Sequence, residues 1–106
     1  MTSVSISRHF VDHGVLRLAV TGEIDLSTSE LLVAAVRDAI AVGQIAELVV
    51  DLGKVTFLDS TGISALVAGR NLAGERGVAY VVINPHDMVR RVLDVAGVLA
   101  TLTGQS

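Results

Sequence analysis

Apolar and polar positions alternate at the start of the chain. In VSISRHFV, Val4, Ile6 and Phe10 fall on one side of a period-two pattern, and GVLRLAVTG repeats it with Leu16, Leu18 and Val20 after a turn at Asp12 to Gly14. The pattern predicts a β-hairpin. The period then changes. In DLSTSELLVAAVRDAIAVG the residues Leu31, Leu32, Ala35, Val36, Ala39 and Ile40 make one apolar stripe at helical spacing, Ser27 and Glu30 stand at capping-box distance, and Gly43 is placed to end the helix. AELVVDL is a short continuous apolar run, which predicts a central strand covered on both faces of a largely parallel sheet.

From Ser60 to Arg76 the spacing predicts a second helix with Ile63, Leu66, Val67 and Ala73 inward, Gly62 outward, and Gly77 as its stop. VAYVVIN reads as another buried strand broken by Pro85, and HDMVRRVLDVAG as a last amphipathic helix through Val89, Val92, Leu93 and Ala96. The tail VLATLTGQS is expected to add a turn or a strand and to fray over its final residues. The order is β-β-α-β-α-β-α, an α/β fold with a mixed, mostly parallel sheet and amphipathic helices. No linker, repeat or low-complexity segment interrupts it, so residues 1–106 are expected to form one domain.

Composition narrows the chemistry. With 51% hydrophobic and 18% charged residues, a chain of 106 can bury a core without staples. The absence of cysteine removes disulfides, thiolate metal sites and cysteine nucleophiles. A net charge of −3, no basic cluster and only Phe10, Phe57 and Tyr80 as aromatics supply neither the phosphate neutralisation nor the base stacking that nucleic-acid binding needs. The opening MTSVSISRHF has no basic end followed by an apolar block, and no apolar run approaches the ~18 residues that span a bilayer, so a soluble, cytoplasmic protein without membrane contact is expected.

Polar chemistry concentrates at two strand-to-helix junctions. In VTFLDSTGIS an acid, two hydroxyls and a glycine stand together at Asp59, Ser60, Thr61 and Gly62; GEIDLSTSE places Asp25, Ser27 and Thr28 at another junction. Loops leaving the carboxyl ends of strands carry function in α/β folds, and parallel crossovers bring successive strand ends to one rim. Each group can also be read as a helix cap, since one Asp or Ser accepting a backbone N–H stabilises a helix by about 1 kcal/mol. Against that stands redundancy, because a single cap needs a single acceptor.

Enzyme chemistry finds little support. The motif is not the G-x-S-x-G elbow, and His9, His13 and His86 lie on other segments with no triad spacing. No catalytic residue, metal ligand set or cofactor is assigned, and no G-x-x-x-x-G-K phosphate loop occurs. A small nucleotide-binding module that holds phosphates at the helix starts near Asp25 and Ser60 remains an alternative.

The segments LRLAVTGEIDLSTSELL, LVVDLGKVTFLDSTGISALV and VAYVVINPHDMVRRVLDVAGV together resemble the STAS domain of bacterial anti-sigma factor antagonists, over nearly the whole chain. The D-S-[ST]-G element after an apolar strand carries the resemblance, with GEID and RVLDVAG at their expected distances. It implies a βα superhelix with a mixed sheet and makes Ser60, directly after the aspartate, the phosphoacceptor. It also implies the partners: an anti-sigma factor that is itself a serine kinase of the GHKL type, and a serine phosphatase that reverses the modification. On this reading the unmodified chain releases a sigma factor, and Asp25, Ser27, Thr28, Asp59, Ser60, Thr61 and Gly62 form the partner-binding rim. STAS domains also serve as stressosome components and transporter subunits, which this short, free-standing chain resembles less.

Overall fold

A computed structural model describes residues 3–104. Met1, Thr2, Gln105 and Ser106 lie outside that range, and with them the last of the tail expected to fray. The first strands are β1 (Val4–Asp12) and β2 (Val15–Ile24), paired antiparallel. His13 and Gly14 join them with φ of 47° and 82°; positive φ at both central positions matches the right-handed twist of a hairpin. Then follow α1 (Ser29–Val42), β3 (Glu47–Leu58), α2 (Ser60–Glu75), β4 (Ala79–Ile83) and α3 (Asp87–Val95). The tail adds one further short helix, α4 (Leu99–Thr103).

The sheet order is β1-β2-β3-β4, with β2, β3 and β4 mutually parallel, so the mixed topology and the element order are those the pattern predicts. The expectation of strands covered on both faces is corrected. Along β3, Leu48, Val50 and Leu52 are fully buried whereas Glu47, Val49 and Asp51 are half-buried, because the buried core lies on one side of the sheet only. β4 is an edge strand with one fully buried residue, Val82. On the uncovered face the Asp51 carboxylate accepts from Arg17 Nη1 (3.1 Å), Asn84 Nδ2 (3.1 Å) and the Gly53 amide (2.9 Å), which pins β2, β3 and the end of β4 together.

β3 runs six residues past the apolar run read from sequence. Its Asp51 pairs with Ile83 at the end of β4, and beyond that point it pairs only with β2, reaching Leu58 opposite Ile24. Extra residues of β3 enter the pairing between Ala19/Thr21 and between Gly22/Glu23, so period-two burial gives way to Leu52, Val55 and Leu58 at intervals of three.

The helices differ from their expected stripes in instructive ways. α1 buries Leu32, Val36, Ala39 and Ile40 but leaves Leu31 54% exposed, because the stripe is wider than the surface that covers it. α2 buries Gly62, Ala65, Leu66, Gly69 and Ala73, with Ile63 and Val67 only half-buried. Apart from Leu66, its packed face is thus made of small residues that let the helix approach closely. α3 buries Val89 and Leu93 as expected, while Ala96 is exposed.

Candidate functional site

Because β2 and β3 are adjacent and parallel, their carboxyl ends emerge on the same rim, and an Asp59 N–H to Ile24 carbonyl bond of 3.4 Å joins the two junctions. At the second junction Asp59 is the N-cap of α2. Its Oδ1 accepts from the Thr61 amide (2.9 Å), the Gly62 amide (3.0 Å) and the Thr61 hydroxyl (2.6 Å). The Thr61 hydroxyl bond is the main reason the carboxyl titrates below its ordinary value; desolvation opposes it, the two amides reinforce it, and the neighbouring Asp25 charge pushes weakly back. Asp59 is therefore an anion at neutral pH, already holding the free amides of the helix start.

That arrangement separates the two hydroxyls of the motif. Thr61 is spent on Asp59, whereas Ser60, the first residue of α2, is exposed and its hydroxyl makes no hydrogen bond among the described residues. Gly62 has a different role from the one its register suggested. A Cβ there would stand 2.6 Å from the Ile24 carbonyl oxygen, with the Leu58 side chain also in the way. Gly62 points inward, not outward: a glycine is needed because the backbone of β2 crosses this point. It shapes the rim by letting α2 start close against the end of β2.

At the first junction the expected capping box between Ser27 and Glu30 does not form. Thr28 occupies the N-cap position of α1 with no side-chain cap bond. The polar residues instead build a closed turn. Asp25 Oδ1 accepts from the Ser27 amide (2.9 Å) and hydroxyl (2.8 Å), while the Thr28 hydroxyl donates to the Glu23 carbonyl (2.7 Å) and accepts from the Asp25 amide (2.9 Å). Thr28 is only 4% exposed, so it holds the loop from beneath; Ser27 lies on the surface.

This turn lifts Leu26 into solvent, 78% exposed, and Phe57 at the end of β3 is 36% exposed. Together with Glu23, Asp25, Ser27 and Asp59 they line an open groove of about 490 Å³. Sequence reasoning missed both apolar residues. The available signal was Leu26 as a lone apolar side chain inside a polar loop; Phe57 carried none, since it continues an apolar strand. The rim is thus an acidic edge around an apolar groove, with one uncommitted serine hydroxyl beside it. Among the described residues no His, Cys, Asp or Glu cluster could hold a metal ion, and no helix is long and apolar enough to cross a membrane.

The model of the STAS domain family matches residues 10–105. The chain is 36% identical over 94 residues to the anti-sigma-F factor antagonist RsfB of Mycobacterium tuberculosis, covering 88% of this chain and 75% of that protein. Among solved structures, an anti-sigma factor antagonist from Mycobacterium paratuberculosis superposes with a TM-score of 0.82 at 30% identity, over 94% of this chain and 83% of that one. The Bacillus cell fate determinant SpoIIAA in its phosphorylated form superposes with a TM-score of 0.71 at 19% identity, over 96% and 91% of the two chains, a likeness of fold.

Proposed function

We propose that this chain, which belongs to the STAS domain family, acts as an anti-sigma factor antagonist. The unmodified protein binds an anti-sigma factor through the rim at the ends of β2 and β3, and the sigma factor held by that partner is released. The anti-sigma factor, acting as a GHKL-type serine kinase, transfers the γ-phosphoryl group of ATP to Ser60 Oγ; the hydroxyl proton leaves to a base of the kinase and ADP departs. A serine phosphatase returns the chain to its binding form. The protein works in the cytoplasm as a substrate and binding regulator, not as an enzyme.

One observation carries this reading: of the two hydroxyls at the start of α2, Thr61 is bound to Asp59 at 2.6 Å and Ser60 is exposed and unengaged. A kinase substrate must present a hydroxyl that can enter another protein's active site without first breaking a bond at home. The names of the relatives support the partner class, and the apolar groove of Leu26 and Phe57 with its acidic edge is a surface that a protein partner would desolvate.

The test is to recover the cognate anti-sigma factor by pull-down from the source cell, incubate it with the chain and ATP, and map the phosphate by mass spectrometry. A single phosphate on Ser60 is expected, with loss of the complex. A phosphate on Thr61, Ser64 or Ser27 with Ser60 unmodified overturns the assignment.

A further inference from the structure

Among the described residues β1 is the outer strand of the sheet, with β2 as its one neighbour. Which of its backbone groups are unpaired follows from the register. The Ser3 carbonyl accepts from Glu23 N–H, so Ser3 faces β2. Backbone direction alternates along a strand, and Ser5, Ser7 and His9 therefore also face β2, opposite Thr21, Ala19 and Arg17. Val4, Ile6, Arg8 and Phe10 turn their N–H and C=O groups outward; the edge carries no proline, and among these four residues Arg8 alone is charged. The side chains of these same four residues share the sheet face of Leu16, Leu18 and Val20, toward the helices.

Beside that edge runs a groove between β1 and α1. One end is lined by Val4, Ile6, Leu31 and Ala34, the other by Ile6, Arg8, Ala41 and Val42, and Ala35 and Asp38 belong to both. Leu31 is 54% and Val42 55% exposed along it, and Phe10, further along β1, is 67% exposed. Free strand backbone forming one wall of an apolar groove favours an added strand over a docked helix, because a helix leaves those N–H and C=O groups unpaired.

We infer that the occupant is β1 of a second copy of this chain, added antiparallel across a two-fold axis at Ser7. In that register the outward-facing residues meet as hydrogen-bonded pairs: Val4 opposite the partner's Phe10, Ile6 opposite the partner's Arg8, and the reciprocal two. Self-complementarity selects it. Val4 and Phe10 cover each other's apolar surface, and on the open face Ser5 meets the partner's His9. The partner's Arg8 comes beside Ile6, where Asp38 stands in the groove, so each copy's base meets the other's acid. Centring the axis on Arg8 would instead place like charges in direct opposition.

The dimer is a continuous sheet of both copies. β2 separates its seam from β3, which leads into α2 at Ser60, so the fate of this inference is independent of the proposed function.

Sedimentation velocity on the unmodified chain from about 10 μM to 1 mM reads the association directly. The dimer fraction should rise with concentration. Arg8→Glu, at an exposed position, should raise the dissociation constant about tenfold or more by setting acid against Asp38, and adding Asp38→Arg to the same chain should restore it. A wild-type chain that stays monomeric at ~1 mM, an Arg8→Glu chain that associates unchanged, or a double variant that is not rescued each overturns the inference.

Discussion

The carboxylate of Asp59 and the missing side chain of Gly62 do opposite jobs at the same helix start. Asp59 supplies three interactions from one oxygen, and its lowered titration means that it stabilises the fold in its charged form. A depressed folded value gives stability that is present above the ordinary carboxyl value of 3.8 and lost as pH falls through the lower folded value. Asp59→Asn keeps an acceptor oxygen but has no proton to gain. The variant should be less stable at neutral pH by about 1 kcal/mol, and the gap to wild type should begin to narrow once pH falls below 3.8, which parallel urea titrations at pH 7 and pH 3 would show. A gap that is constant with pH would assign the cap to shape alone. Gly62→Ala must move the Ile24 backbone or the Leu58 side chain, and overpacking of this kind costs about 1–3 kcal/mol, read as a lowered urea midpoint. Leu26→Asp tests the surface instead. A side chain 78% exposed leaves stability within about 0.5 kcal/mol when replaced, while a charge placed in the apolar groove should weaken anti-sigma binding about tenfold or more by titration calorimetry.

α2 shows how an element is tuned by residues that have little to bury. Its packed face includes Gly62, Ala65, Gly69 and Ala73, and at Gly69 the gap is filled by Tyr80 of β4, whose hydroxyl donates to the Leu66 carbonyl at 2.9 Å. Burial pushes the Tyr80 phenol well above its ordinary value, so it remains a donor throughout the working pH range. On helix propensity alone Gly69→Ala should stabilise by about 1 kcal/mol. A Cβ there would stand 2.8 Å from the Tyr80 hydroxyl, so the phenol must shift and its bond to α2 is lost or strained. Loss of a buried hydrogen bond costs about 1–3 kcal/mol, which outweighs the propensity gain. The expected result is a net destabilisation of about 1 kcal/mol, measured as a lower melting temperature; a stabilised Gly69→Ala would show that the ring moves aside freely.

The whole molecule sets how a phosphate on Ser60 would act. The modification adds about −1.5 to −2 charge at the start of α2. A bare helix start would welcome an anion, but here Asp59 already holds the Thr61 and Gly62 amides, and Asp25 and Glu23 line the same rim. The charge therefore stays in water while the protein is free and must be desolvated, or meet like charge, when a partner closes over it. To turn a mostly bound population into a mostly free one the affinity must fall by about 10³–10⁴, or roughly 4–5.5 kcal/mol, which an uncompensated buried charge supplies. The free fold should be unmoved. Amide chemical shifts of the two forms are expected to differ around residues 23–28 and 57–65 only; changes spread through β4 and α3 would reveal a conformational switch in place of this electrostatic one.

The element order, the hairpin turn and the two polar junctions were legible in the chain because each rests on local rules: period two against period 3.6, a glycine where φ is positive, acceptors where amides are free. So was Asp59 as the cap of α2. The rest depended on contacts between distant segments. Alternation could not reveal how far β3 runs, because added residues against β2 shift its burial from every second to every third position. An apolar run could not say that the sheet is covered on one face, since half-buried valines satisfy the same pattern. The direction of Gly62 was invisible because a residue without a side chain contributes nothing to a hydrophobic stripe, and what fills its place is the backbone of Ile24, 38 residues away in sequence. Leu26 and Phe57 read as ordinary apolar residues. Only the meeting of the ends of β2 and β3, with Thr28 bonded beneath the turn, places them side by side in solvent, because exposure belongs to the packed surface and not to the residue.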